Sequence, residues 1–217
     1  KRIYKEAIER HVEKLNISCK GISGSSVVNI ISNEIHKGTW YTWAEGDLAY
    51  VNFTYWNSKV DVTLYYRDTH DQQIQMEATF AAILPSLNQG SNYDKIKAVH
   101  DYLCNSIAYT YGYHDTYDAL CRNVGVCQSY TSLFMKFMSA MGIPCYAQEG
   151  TVNGEAHVWN VVYLDGEWYN IDLTWDDEGG RDVGYKYFLK CDADWEGHHH
   201  GGATATKSME VTGKSAI

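Results

Sequence analysis

Apolar positions along this chain change period several times, and each change marks an element. Ile3, Ala7, Ile8, Val12 and Leu15 fall on one stripe, which predicts a helix over residues 1–18. The Gly21–Ser26 stretch interrupts it, and a short second helix is expected over 27–36. From Thr39 to Arg67 the composition turns to strand formers: Trp40, Tyr41, Trp43, Tyr50, Val51, Phe53, Tyr55 and Trp56, then Val60 to Tyr66 beyond a turn at Asn57-Ser58. This predicts a small antiparallel unit. Helical spacing returns from Asp68 to Leu84, with Ile74, Ala78, Ala81 and Ala82 as the expected buried face. Ser91 then caps a helix whose buried side is Ile96, Val99, His100, Leu103 and Ile107, with Asp94 in the capping-box place. A Tyr- and Gly-rich loop over 109–119 follows.

The clearest periodicity lies further on. Tyr130, Leu133, Phe134, Phe137, Met138 and Met141 form a wide apolar stripe, and Gly142 and Pro144 stop the helix that begins near Cys127. Strands are expected around Cys145–Glu149, Ala156–Leu164 and Trp168–Trp175. Asp165-Gly166 predicts a two-residue hairpin between the last two.

That hairpin brings chemistry into view. With Asp165-Gly166 as the central turn residues, Leu164 pairs with Glu167, Trp159 faces Asp172 and His157 faces Thr174. His157 and Asp172 are then diagonal neighbours on one face, roughly 7–8 Å apart at the backbone. Val158, Val162, Leu164, Tyr169, Ile171 and Leu173 take the opposite, core-facing side. A register slip of one residue would separate the pair. Cys127 stands in the first turn of its helix, where unpaired N–H groups and the positive dipole end favour thiolate over thiol. A thiolate needs a base, and the base needs an orienting group. Cys127, His157 and Asp172 supply these three residue types.

The run GVCQSYTSLF (125–134), then GIPC (142–145) and EAHVWNVVYLDGEWYNIDLTWDD (155–177), flanked by SNYDKIKAVHDYL (91–103) and GYKYFL (184–189), resembles the bacterial transglutaminase-like superfamily over residues 91–190. The resemblance implies an α+β, papain-like core with the Cys helix packed on an antiparallel sheet that carries His and Asp. It implies Cys127 as nucleophile, His157 as base and acid, and Asp172 as the orienting carboxylate. The implied reaction is attack on a peptide or protein amide through a thioester acyl-enzyme, with no cofactor and no metal. The acceptor is then water or an amine, and hydrolysis is the expected outcome. The Cys127 backbone N–H is the first oxyanion donor; Tyr111, Tyr113 or Gln128 could supply the second. Trp159 is expected to pack beside His157 and restrict solvent.

The remaining features narrow the partners. Among 217 residues the formal net charge is −9, which argues against nucleic acid as a partner. No stretch is apolar enough for a membrane span. Aromatic residues make up 14% of the chain, enough to line a groove for peptide or cell-wall glycan in a catalytically silent module, the alternative to an enzyme. The six cysteines contain no CxxC pair, and with one thiol reserved for chemistry five remain, an untidy number for disulfides. Asp176, Asp177, Glu178 and Asp182 read as a solvated acidic loop rather than a calcium site, and His198–His200 with Gly201-Gly202 as a flexible loop. Asn16-Ile-Ser18 and Asn52-Phe-Thr54 match the weak glycosylation pattern. Residues 1–67 are expected to form an extension on a catalytic domain of residues 68–217. A chain starting at Lys1 reads as trimmed, and an extracellular or cell-surface location is expected.

Overall fold

A computed structural model describes residues 2–18, 20–35, 39–40, 42–177, 179, 183–201 and 205–209. Expectations for Cys19, Glu178, Asp182 and Gly202 fall outside these residues. In chain order the elements are α1 (Arg2–Glu9), β1 (Lys14–Ser18), α2 (Gly24–Ile35), β2 (Thr39–Trp40), β3 (Leu48–Trp56), β4 (Lys59–Tyr66), α3 (His70–Leu87) and α4 (Asn92–Ser106). These are followed by β5 (Ala108–Tyr109), β6 (Val124–Gly125), α5 (Cys127–Ala140), β7 (Cys145–Val152), β8 (Glu155–Leu164), β9 (Glu167–Ile171), α6 (Leu173–Asp176) and β10 (His198–His199).

The centre of the fold is α5. Its apolar stripe, with Tyr130, Leu133, Phe134, Phe137 and Met138, is buried, and so are Ser129, Thr131, Ser132 and Lys136 on its other faces. Residues 129–138 of the helix are therefore enclosed on all sides, with Lys136 bonded to Glu77 at 2.6 Å and lying 3.7 Å over the Trp43 ring. One side of α5 rests on the sheet β10-β7-β8-β9, to whose β7 edge β2 also pairs. Asn160 on β8 donates its amide N–H to the Thr131 carbonyl at 3.1 Å, and the Thr131 hydroxyl donates to the Val158 carbonyl at 3.3 Å. These bonds fix the helix against the strand carrying His157. The β8–β9 register is the expected one, Leu164 opposite Glu167, with Asp165 and Gly166 both at positive φ in the turn.

A second sheet, β1-β4-β3, stands apart in sequence but not in the core: Val60, Val62 and Leu64 belong to the same buried cluster as Phe134 and Phe137. The turn at Asn57-Ser58 joins β3 to β4.

Four expectations need correction. The first helix ends at Glu9, because His11 takes a left-handed conformation (φ 49°) and the segment Lys14–Ser18 alternates exposed and half-buried, a strand period that pairs with β4. In α3 the face Ile74, Ala78, Ala81 and Ala82 is exposed; Met76 and Phe80 are the buried anchors, since they offer far more apolar surface than three alanines. The strand after the hairpin stops at Ile171, where Asp172 caps α6 by accepting N–H bonds from Thr174 (3.0 Å) and Trp175 (3.3 Å). Asp176 and Asp177 are not solvated. Asp176 is buried, and Asp177 accepts a 2.6 Å bond from the Tyr130 hydroxyl. Among the described residues no helix is long and apolar enough to cross a membrane.

Candidate active site

Cys127 is the first residue of α5, and Val126 at the N-cap provides no side-chain bond to the helix end. The approach to it is narrow. Gly125 lies so close to Ser129 that a Cβ there would meet the Ser129 Cβ at 2.7 Å. Ser129 in turn donates to the Tyr113 carbonyl at 2.9 Å, and Val126 N–H donates to the same carbonyl at 3.1 Å. The short parallel pair β5–β6 sets Tyr109 opposite Gly125, so its phenol reaches the start of α5.

His157 enters from β8. Its Nε2 bonds Asp172 Oδ2 at 2.7 Å, and the Cys127 thiol lies near enough to influence its protonation. Burial alone would lower the imidazole's pKa, but the Asp172 carboxylate, its bond to the ring and the neighbouring Cys127 raise it to about 10. For Asp172, burial pushes upward, and the charges and N–H donors of His157 and His198 hold it below the usual carboxylate value. Diagonal hairpin geometry is thus replaced by a strand end meeting a helix cap, yet the two side chains still meet.

Tyr109, Tyr111, Cys127, Glu155, His157 and Trp175 line a cleft of about 280 Å³. Tyr111 is 82% exposed at its rim, edge-on to Tyr109 with ring centroids 5.5 Å apart. Trp159 is buried and stacks beside His157 at 6.2 Å, and its indole N–H donates to Asn170 Oδ1 at 3.1 Å. The Gln128 side chain has another partner: its amide donates to the Gly46 carbonyl, away from Cys127. Tyr113 offers its backbone carbonyl to the α5 entry.

Three contributors escaped sequence reasoning. Tyr109 lies beside the Cys127 backbone, and burial, with the neighbouring Cys127 and Tyr111, raises its phenol pKa. His198, expected in a flexible run, lies buried in β10 with Nε2 2.8 Å from Asp172 Oδ2. A sealed network under α6 is the third: His100 sits between Asp101 (3.1 Å) and Asp176 (3.2 Å), with Cys104 Sγ 3.7 Å from its Nε2. Lys97 and the Tyr185 hydroxyl also bond Asp101, at 2.6 and 2.8 Å. Among the described residues, His157, Asp172 and His198 bring donor atoms within 4.8 Å of one another; both histidines bond Asp172 Oδ2. The five described cysteines are all free thiols.

Residues 81–173 match the family model described as the transglutaminase-like superfamily, and the fold is a mixed α+β one. Among curated proteins, the kyphoscoliosis peptidase of Mus musculus is 24% identical over 140 residues, 54% of this chain and 21% of that protein. The Homo sapiens kyphoscoliosis peptidase is 24% identical over 131 residues, 50% of this chain and 20% of that protein. The match spans about a fifth of these relatives' length. Similar solved structures include a TGase (TM-score 0.43, 17% identity, 74% of this chain and 50% of that one). Calcium-bound LapG of Legionella pneumophila is another (TM-score 0.42, 12% identity, 68% and 91%). The periplasmic domain of TgpA from Pseudomonas aeruginosa is a third (TM-score 0.38, 15% identity, 55% and 55%).

Proposed function

We propose that this chain is a cysteine-dependent acyl-transfer enzyme that opens peptide or protein amide bonds through a thioester on Cys127. One observation carries the reading: His157 links a fixed carboxylate, Asp172, to a thiol at the start of a helix, on the wall of an open cleft.

The raised imidazole pKa lets His157 hold the proton it takes from the Cys127 thiol as the sulfur attacks. Cys127 Sγ attacks the amide carbonyl carbon, forming the C–S bond while the π electron pair moves to oxygen. The Cys127 N–H and the Tyr109 hydroxyl, which line the same cleft wall, are the donors for that oxyanion in this reading. Tyr109 replaces Gln128 and Tyr113 as the second donor in this reading, with Tyr111 left at the substrate rim. As the C–N bond breaks, His157 gives its proton to the leaving amine. Water then loses a proton to His157 and adds to the thioester, and the thiolate leaves with the carboxylic acid as product. The names of the curated relatives, both peptidases, support water over an amine as acceptor.

The test is incubation of the wild-type chain and Cys127→Ala with a peptide mixture, with and without a primary amine. New carboxyl termini made by the wild type alone support hydrolysis, and amine-ligated peptides support transamidation. Peptide or glycan retained equally by both proteins, with no product, overturns the enzyme reading in favour of a binding module whose exposed Tyr109, Tyr111 and Trp175 hold the ligand.

A further inference from the structure

We propose that His198 is a positioning residue that holds Asp172 as an imidazolium and moderates the carboxylate's hold on His157. The inference rests on the acyl-transfer reading of the site. His198 Nδ1 lies 2.9 Å from the Glu196 carbonyl oxygen and Nε2 lies 2.8 Å from Asp172 Oδ2. Both are acceptors, and an imidazole donates from both nitrogens only when it is cationic. The ring's surroundings suit a cation. Trp195, Tyr187, Trp159 and Trp175 surround it at centroid distances of 4.5, 5.1, 5.3 and 6.0 Å, and its side chain is wholly buried.

Asp172 is therefore shared. Oδ2 accepts from both histidines, and Oδ1 accepts from the Thr174 and Trp175 N–H groups. The carboxylate has no freedom to rotate without losing bonds on two sides. The electrostatic consequence is as direct. The His157 and His198 rings are 5.9 Å apart, so one cation opposes the other across a single carboxylate. With Asp172 alone, His157 would hold its proton too firmly to deliver it to a leaving amine. A second cation on the same oxygen weakens that grip while keeping the ring oriented.

The ionisable groups facing this ring are Asp172 from the β9–α6 junction, His157 from β8 and the Tyr187 phenol; Cys127 and Tyr109 lie beyond His157. Glu196 presents its carbonyl, and its carboxylate pairs with Lys186 at 2.7 Å. The fold makes room for the arrangement at Gly150, which faces His157 in the sheet: a Cβ there would meet the His199 carbonyl oxygen at 2.3 Å and the Trp159 ring at 2.6 Å.

The experiment compares iodoacetamide alkylation of Cys127 against pH in the wild type, His198→Gln and His198→Ala, with thermal melting of each. The glutamine side chain retains an N–H for Asp172 but carries no charge. Removing a cation makes protonation easier at every neighbouring group, so the acid limb of Cys127 alkylation moves up by about one pH unit in both variants. The alanine variant also loses plateau rate. A His198→Gln profile that superimposes on the wild type overturns the proposal. Ring ¹⁵N NMR of the unsubstituted chain at pH 7 decides the same question without a variant: both His198 nitrogens protonated supports it, and a neutral ring overturns it. If wild-type Cys127 shows no thiolate reactivity below pH 8, the acyl-transfer reading fails; if it does and His198→Gln leaves the profile unmoved, only this inference fails.

Discussion

Among the described residues, two Cys–His–Asp clusters lie at opposite ends of the four-residue helix α6, and only one opens on a cleft. Asp172 caps the helix and bonds His157, which shares a cleft wall with Cys127; Asp176 ends it and bonds His100, whose ring lies 3.7 Å from Cys104 Sγ. The residue types are the same and both imidazoles are raised. For His100, burial lowers the pKa but Cys104, Asp101 and Asp176 more than reverse it. The difference lies in where each thiol sits. Cys104 is in the last turn of α4, buried, with its S–H donating to the Leu173 carbonyl at 3.5 Å. Burial pushes its pKa up, although His100 opposes this. Cys127 is at a helix start, half-buried, on a cleft wall. Helix position and access, rather than residue identity, separate a nucleophile from a structural thiol.

Substitutions at the two clusters should therefore diverge. Cys127→Ala is expected to remove turnover, a loss of about 10⁴-fold or more, with little change in melting temperature. Cys104→Ala should leave turnover near wild type. An equal loss of activity in both, measured on folded protein, would break the comparison. Asp176→Ala should do the reverse of Cys127→Ala. It removes one of the two carboxylates that hold the buried His100 and the acceptor of the Tyr187 N–H, and is expected to cost about 3 kcal/mol of stability, read by chemical denaturation. Gly150→Ala is intermediate. Crowding the His199 carbonyl and Trp159 is expected to cost about 1–3 kcal/mol and to slow Cys127 alkylation.

The pH dependence of stability gives a subtler contrast. His157 is raised from 6.5 to about 10 in the folded chain. Its contribution is fully present below pH 6.5 and is lost as pH rises through about 10, because over that window the folded state binds a proton the unfolded state has released. Denaturation at pH 6, 8 and 10 should show this decline, and His157→Gln should flatten it. Asp172, held below its usual value, contributes above the ordinary carboxylate range and loses that contribution as pH falls below it.

Much of this was legible in the sequence where a pattern was long or a turn was specific. The α5 stripe spans three turns and ends at Gly142, and Asp-Gly at 165–166 set the register that brings His157 toward Asp172. Short elements were not legible. The four-residue α6 has no periodicity to detect, and its cap, Asp172, reads as one more strand residue. In α3 helical spacing was visible, but alanines were credited with burial that Met76 and Phe80 provide. His198 gave the least warning. Three histidines beside glycine have the composition of a loop, and the pairing of His198 with Val152 and its aromatic surroundings come from contacts distant in sequence.

The most direct measurement is site-resolved alkylation of the native chain with iodoacetamide from pH 5 to 9, each cysteine followed by mass spectrometry, in the wild type and His157→Ala. The account predicts that Cys127 reacts fast well below pH 8, that Cys104 stays unreactive, and that His157→Ala returns Cys127 to ordinary thiol behaviour near pH 8.5. Cys127 reacting no faster than its fellow cysteines, or unaffected by loss of His157, would contradict it.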